Sequence, residues 1–172
     1  PDCFFSSLEE NTDLTDANFT DANLSGCDLV GDSQSFVDAT DAFFIRSDLS
    51  HSDFDFAVVA GADFTQADLS NSIIWDSDFQ NATLDGADFS DAELLGVDLA
   101  GASVVGTRFG GVLFGDSEGS SSGLASTTGS AYYSGTTDFA ATGFDPQTAG
   151  WVNLDDLALD SDGDGTEVSV DN

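Results

Sequence analysis

The sequence predicts an all-β solenoid, and three observations lead there. A large apolar residue recurs at every fifth position, as in Phe64, Leu69, Ile74, Phe79, Leu84, Phe89, Leu94 and Leu99. A small residue stands two positions before most of these centres, as in Ala62, Ala67, Ser72, Ser77 and Ala82. Hydrophobic content is 40% over 172 residues, enough for a continuous core if repeated units stack and close it. A helix repeats its apolar face every 3.6 residues and a strand every two, so a period of five belongs to neither. It belongs to a short unit that is itself repeated.

The elements follow in chain order. Residues 1–13 contain "CFFSSLEE", whose Phe4, Phe5 and Leu8 suit an N-terminal cap. From Leu14, twenty units keep one phase as far as Phe109, and only Gln34 and Ala39 fail to supply a large apolar centre. Within a unit, small-inward, polar-outward and large-inward residues make a three-residue strand, and the remaining two, often Asp or Gly, turn the chain. So short a strand cannot bury its inward pair alone, so each unit must stack on a successor. The repeat region is assigned to residues 14–114, with a bulge or local loop expected at the weak centres in "GDSQSFVDATDAFF". Residues 115–131 read as a Gly/Ser-rich linker or loop. Residues 132–159, with Tyr132, Tyr133, Phe139, Phe144 and Trp151, read as a C-terminal cap, and residues 160–172 as an acidic tail.

The units "ADFTQ", "ADLSN", "ATLDG", "ADFSD" and "ANFTD" resemble the A(D/N)LXX units of pentapeptide-repeat proteins. The resemblance implies a right-handed quadrilateral parallel β-helix with four units per coil, hence about five coils. At a strand spacing of ~4.8 Å that rod is roughly 24 Å long. The stretch "YYSGTTDFAATGFDPQTAGW" is similar to the ending that often closes such rods. Replacing Phe64 or Phe79 by Ala is expected to cost about 3–5 kcal/mol, as for other aromatic cavities.

Charge is the extreme compositional feature, at −31 with Arg46 and Arg108 as the only basic side chains apart from His51. Binding nucleic acid or an anionic membrane by charge needs clustered Lys and Arg, so the expected partners are cations and basic protein surfaces. No stretch reaches the apolar length of a membrane span. Stacking residues twenty apart gives an acidic ladder of Asp28, Asp48, Asp68 and Asp88, ended by Arg108. Such a ladder serves either counter-cations and phosphate mimicry or plain solvation of the rod. Another side breaks the outward-polar rule with Phe36, Phe56, Val58, Ile73, Trp75 and Leu95, the pattern of a covered contact surface.

The tail "DSDGDGTEVSVD" spaces oxygen ligands as a Ca2+ loop does: side chains of Asp160, Asp162 and Asp164, the carbonyl of Thr166, and Asp171 in the twelfth position. Against that reading, Glu167 replaces the usual apolar residue and no exiting helix follows, which leaves an ordinary acidic tail as the alternative. Cys3 and Cys27 could form a disulfide in an oxidising compartment, with Cys27 as a plain small core residue the alternative. No catalytic constellation is present: His51 has no partner at metal or triad spacing, and no nucleophile elbow or phosphate-cradling loop occurs.

The expected function is therefore a non-enzymatic structural or interaction protein. It is expected to be extracellular or at the cell surface, since the chain opens on Pro1 and lacks Met as a processed protein would, a trimmed piece of a longer chain being the alternative. Self-association, head-to-tail or side-by-side into a filament, with calcium steadying the tail, is the favoured assembly. The resemblance also implies an alternative, because the quinolone-resistance group of that family uses an acidic rod to occupy the DNA-binding saddle of gyrase.

Overall fold

Parallel bridges link residues twenty apart along most of the chain and sort it into four faces, as seen in a computed structural model describing residues 12–30, 37–115, 131–139, 142, 145–147 and 150–157. The first face carries Asp13, Asp38, Val58, Asp78 and Asp98, and the second Asn18, Phe43, Asp63, Thr83 and Ser103. The third carries Asn23, Asp48, Asp68, Asp88 and Arg108. The fourth runs from Asp28 through Asp53 into three full strands, β1 (Ile73–Trp75), β2 (Glu93–Leu95) and β3 (Leu113–Gly115), paired in parallel register. This is the right-handed quadrilateral β-helix, five coils tall.

The first coil departs from the period. Asp13 pairs with Asp38, Asn18 with Phe43, Asn23 with Asp48 and Asp28 with Asp53, a rise of twenty-five residues where later coils rise by twenty. The five additional residues fall between Asp28 and Asp38, and the bulge or local loop expected there lies largely outside the described residues, while Ala39 is buried in the regular core. The ladder expected from Asp28 is corrected accordingly. Asn23 stands beside Asp48, and Asp28 belongs one face further on, because five added residues preserve the five-residue phase while advancing the chain by one face.

Each unit's turn is specified locally. Every fifth described residue from Asp16 to Gly111 has φ between 51° and 76°. Gly, Asp and Asn tolerate that region best, which accounts for Asp16, Asp21, Asp41, Asn71, Asn81 and Asp91 at these places. The outward Asp or Asn accepts, through Oδ1, the N–H two residues on: Asp13 from Thr15 at 3.0 Å, Asp63 from Thr65 at 2.9 Å, Asp98 from Ala100 at 2.9 Å. Glu is too long for this Asx turn, so much of the acidity is a requirement of the backbone.

The core is four vertical files. Phe19, Phe44 and Phe64 stack with centroids 5.0 and 4.7 Å apart, and Phe89 and Phe109 stack at 5.4 Å. Buried Ser and Thr do not go unsatisfied: Ser52 Oγ donates to Leu24 O at 3.0 Å and Thr107 Oγ1 to Leu84 O at 2.7 Å. At the far end β4 (Tyr132–Tyr133) pairs in parallel with β5 (Val152–Asn153), which leads into the single-turn α1 (Leu154–Leu157). Tyr132 extends the second face from Ser103 and Asp138 the third from Arg108. Phe139 stacks on Phe109 at 5.4 Å, and buried Trp151 meets both rings edge-on, so these residues cover the last coil.

Candidate interaction surface

Alternation decides which side chains reach water on each face, and it puts most of the exposed large apolar ones on the fourth face, with Phe43 and Tyr132 on the second. Ile73 and Leu113 take outward strand positions where other faces have mostly Asp, Asn, Ser or Thr, and Leu113 is 48% exposed. Trp75 sits at the end of β1, 39% exposed, and Phe56 in the adjoining turn is 38% exposed. Val30, in the first coil, is also exposed on this side. Phe56 has φ 56°, a conformation that costs a bulky residue about 1 kcal/mol, and its exposure returns little of that through burial.

Of the residues expected here, Phe56, Ile73 and Trp75 are exposed together, while Val58 is half-buried on the neighbouring first face. Leu95 is corrected: it is 8% exposed. Its neighbours in register are Trp75 and Gly115, so it lies between an indole and bare backbone and does not face water. Phe36 lies outside the described residues. Val30 and Leu113 were not anticipated, although both stand in phase with the stripe.

Carboxylates flank the apolar stripe. Asp55 accepts the Trp75 N–H at 3.1 Å, tying two coils together. Burial pushes its carboxyl up to about 6, helped by the charges of Asp53 and Asp76 and opposed by the bond from Trp75. Asp28, Asp53 and Glu93 complete the acidic setting of this face. Neither arginine sits on it. Arg46 pairs with Asp21 through Nε at 2.7 Å and Nη2 at 2.8 Å, and Arg108 Nη1 reaches Asp88 Oδ2 at 3.0 Å on the third face. Burial would raise the Asp88 carboxyl, but the hydrogen bonds from Ser90 and Arg108 outweigh it and hold that group low.

The acidic ladder thus comprises Asp48, Asp68 and Asp88, bounded by Asn23 and Arg108, and each of the three accepts an Asx-turn N–H. His51 is an exposed turn residue with φ 60°. Cys27 is buried and disulfide-bonded, and Cys3 lies outside the described residues. So do Asp160, Asp162, Asp164, Thr166 and Asp171. Among the described residues no group of three or more His, Cys, Asp or Glu is placed to hold a metal ion, and no helix is long and apolar enough to cross a membrane.

The sequence matches pentapeptide repeats in eight copies over residues 10–31, 35–71 and 77–116, more than half of the chain. The chain belongs to the pentapeptide-repeat family. Its fold is similar to that of Rfr23, a pentapeptide-repeat protein from the cyanobacterium Cyanothece 51142, at 19% identity and TM-score 0.51, covering 74% of this chain and 87% of that one. A pentapeptide-repeat protein of the Arabidopsis thaliana thylakoid lumen aligns at 27% identity and TM-score 0.41, covering 55% of this chain and 59% of that one. HetL from Nostoc sp. strain PCC 7120, a pentapeptide-repeat protein involved in heterocyst differentiation regulation, aligns at 19% identity and TM-score 0.38, covering 85% and 71%. No curated protein matches the sequence. Pentapeptide-repeat proteins are generally non-enzymatic scaffolds, and no enzyme family matches.

Proposed function

We propose that this pentapeptide-repeat protein is a non-enzymatic interaction scaffold, an acidic rod that binds a basic protein surface through its fourth face. The observation that carries this reading is the exposed stripe of Phe56, Ile73, Trp75 and Leu113, set among carboxylates and free of arginine. A charge of −31 on each copy makes side-by-side pairing of two rods repulsive and favours a partner of opposite sign. The disulfide at Cys27 supports an oxidising, extracellular setting. Mimicry of DNA is the weaker reading, since the run of carboxylates on the third face, Asp48, Asp68 and Asp88, is short and ends at Arg108, which pairs with Asp88.

Hydrogen exchange with cytochrome c as a cationic protein probe tests the proposal. Protection concentrated at residues 53–56, 73–76 and 113–115 is expected, and equal protection of all four faces would refute it. Sedimentation velocity of the protein alone is the companion measurement. Concentration-dependent association abolished by Trp75→Ser would make a second copy the partner.

A further inference from the structure

We infer that the fourth face is built to receive one basic amphipathic α-helix lying along the rod axis. The inference rests on that face being the contact surface, and it adds the shape and chemistry of the partner.

Dimensions argue first. The face is one short strand wide, about 10 Å, which matches the ~10 Å diameter of a helix with its side chains. Its five coils, from Asp28 to Leu113, span roughly 20 Å, the length of a helix of about 14 residues.

Periodicity argues second. Outward groups on the face repeat at the coil spacing of ~4.8 Å, close to the 5.4 Å pitch of an α-helix. Residues at i, i+3 or i+4, and i+7 of one helix therefore meet successive coils, and exposed apolar groups stand on four of the five, namely Val30, Phe56, Ile73 with Trp75, and Leu113, while Glu93 takes the outward place on the coil of β2. An extended strand laid along the axis would advance ~3.3 Å per residue and present alternate residues ~6.6 Å apart, a poorer match.

Charge argues third. Asp28, Asp53, Asp55, Asp76 and Glu93 border the anchors with no cationic side chain on the face, so Lys or Arg flanking the apolar stripe of a helix would find carboxylates on both sides. The left-handed backbone of Phe56 fits the same picture, because a ring held outward at a cost regains it when a partner covers the ring.

The test uses the full chain and a synthetic 18-residue peptide of Leu and Lys with Leu at i, i+4, i+7 and i+11. Controls are the same composition scrambled and an alternating Leu/Lys peptide that favours an extended strand. Trp151 is buried and Trp75 exposed, so acrylamide quenching of the protein reports on Trp75. One peptide per chain is expected, gaining helical circular dichroism and shielding Trp75. Affinity should fall at least tenfold with Ile73→Ser or Trp75→Ser, the latter followed by calorimetry, and should change less than twofold with Asp68→Asn on the third face. Equal binding of the scrambled peptide overturns the inference by reducing it to charge. Tighter, face-dependent binding of the alternating peptide overturns the helix but keeps the fourth face as contact surface. Binding that ignores both face substitutions overturns inference and contact surface together. A free protein whose Trp75 is already shielded overturns the inference, with a second copy as the occupant if sedimentation shows a dimer and the chain's own segment if it shows a monomer.

Discussion

Replacing Asp55 by Asn removes one charge from the fourth face while keeping the oxygen that accepts the Trp75 N–H. In the folded protein the Asp55 carboxyl titrates at about 6, raised by burial and by Asp53 and Asp76, whereas an unfolded Asp titrates near 3.9. Because the folded value is the higher, the stability tied to this proton is fully present below about pH 4 and is lost as pH rises through 6. Two pH units between the midpoints correspond to about 3 kcal/mol, and solvent screening of a half-buried carboxylate reduces this to ~1 kcal/mol. Asp55→Asn should therefore stabilise the protein by ~1 kcal/mol at pH 7.5 and leave it nearly unchanged at pH 4. Urea denaturation of both proteins at pH 4, 6 and 7.5 in 0.15 M salt measures the difference, in which the other carboxylates cancel. A variant that is no more stable at pH 7.5, or that gains equally at pH 4, refutes the reasoning.

Three further outcomes are expected. Phe64→Ala, which removes a fully buried ring stacked 4.7 Å from the equally buried Phe44, should lower unfolding stability by about 3–5 kcal/mol in chemical denaturation. Gly61→Ala should cost ~0.5–1 kcal/mol more than Gly26→Ala, because both glycines have positive φ but only at Gly61 does an added Cβ displace the Asp41 carboxylate one coil away; Asp41→Ala should erase the difference in a double-mutant cycle. Calcium titration calorimetry of the full chain should detect one ion, lost on joint Asp160→Asn and Asp162→Asn substitution, and a heat unchanged by that pair would remove the tail as a site.

The coil was legible because each unit's geometry is written within five residues: an inward Ala or Ser, an outward Asp, an inward Phe or Leu. The two turn devices were legible in principle, since Asp, Asn and Gly recur in phase with Asp13 and with Asp16. Face assignment in the first coil was not. An inserted unit leaves the five-residue phase intact, so nothing in the spacing reveals that Leu29 joins the file of Phe54 and Ile74 while Leu24 joins that of Leu49 and Leu69. The exposed apolar stripe was half legible. Phe56, Ile73 and Trp75 follow from alternation, whereas the burial of Leu95 depends on which residues flank it in neighbouring coils.

Pairing of introduced cysteines reads that register directly. In a chain whose own Cys3 and Cys27 are replaced by Ser, Asn23→Cys with Asp48→Cys places two thiols on adjacent parallel strands, within the ~4.4–6.8 Å Cα range that a disulfide spans. Mild oxidation should link this pair and leave Asp28→Cys with Asp48→Cys reduced, since Asp28 stands one face away. Linking of 28 with 48 in place of 23 with 48 would show the first coil to be twenty residues, and would move Asp28 and Val30 off the face on which the proposed partner rests.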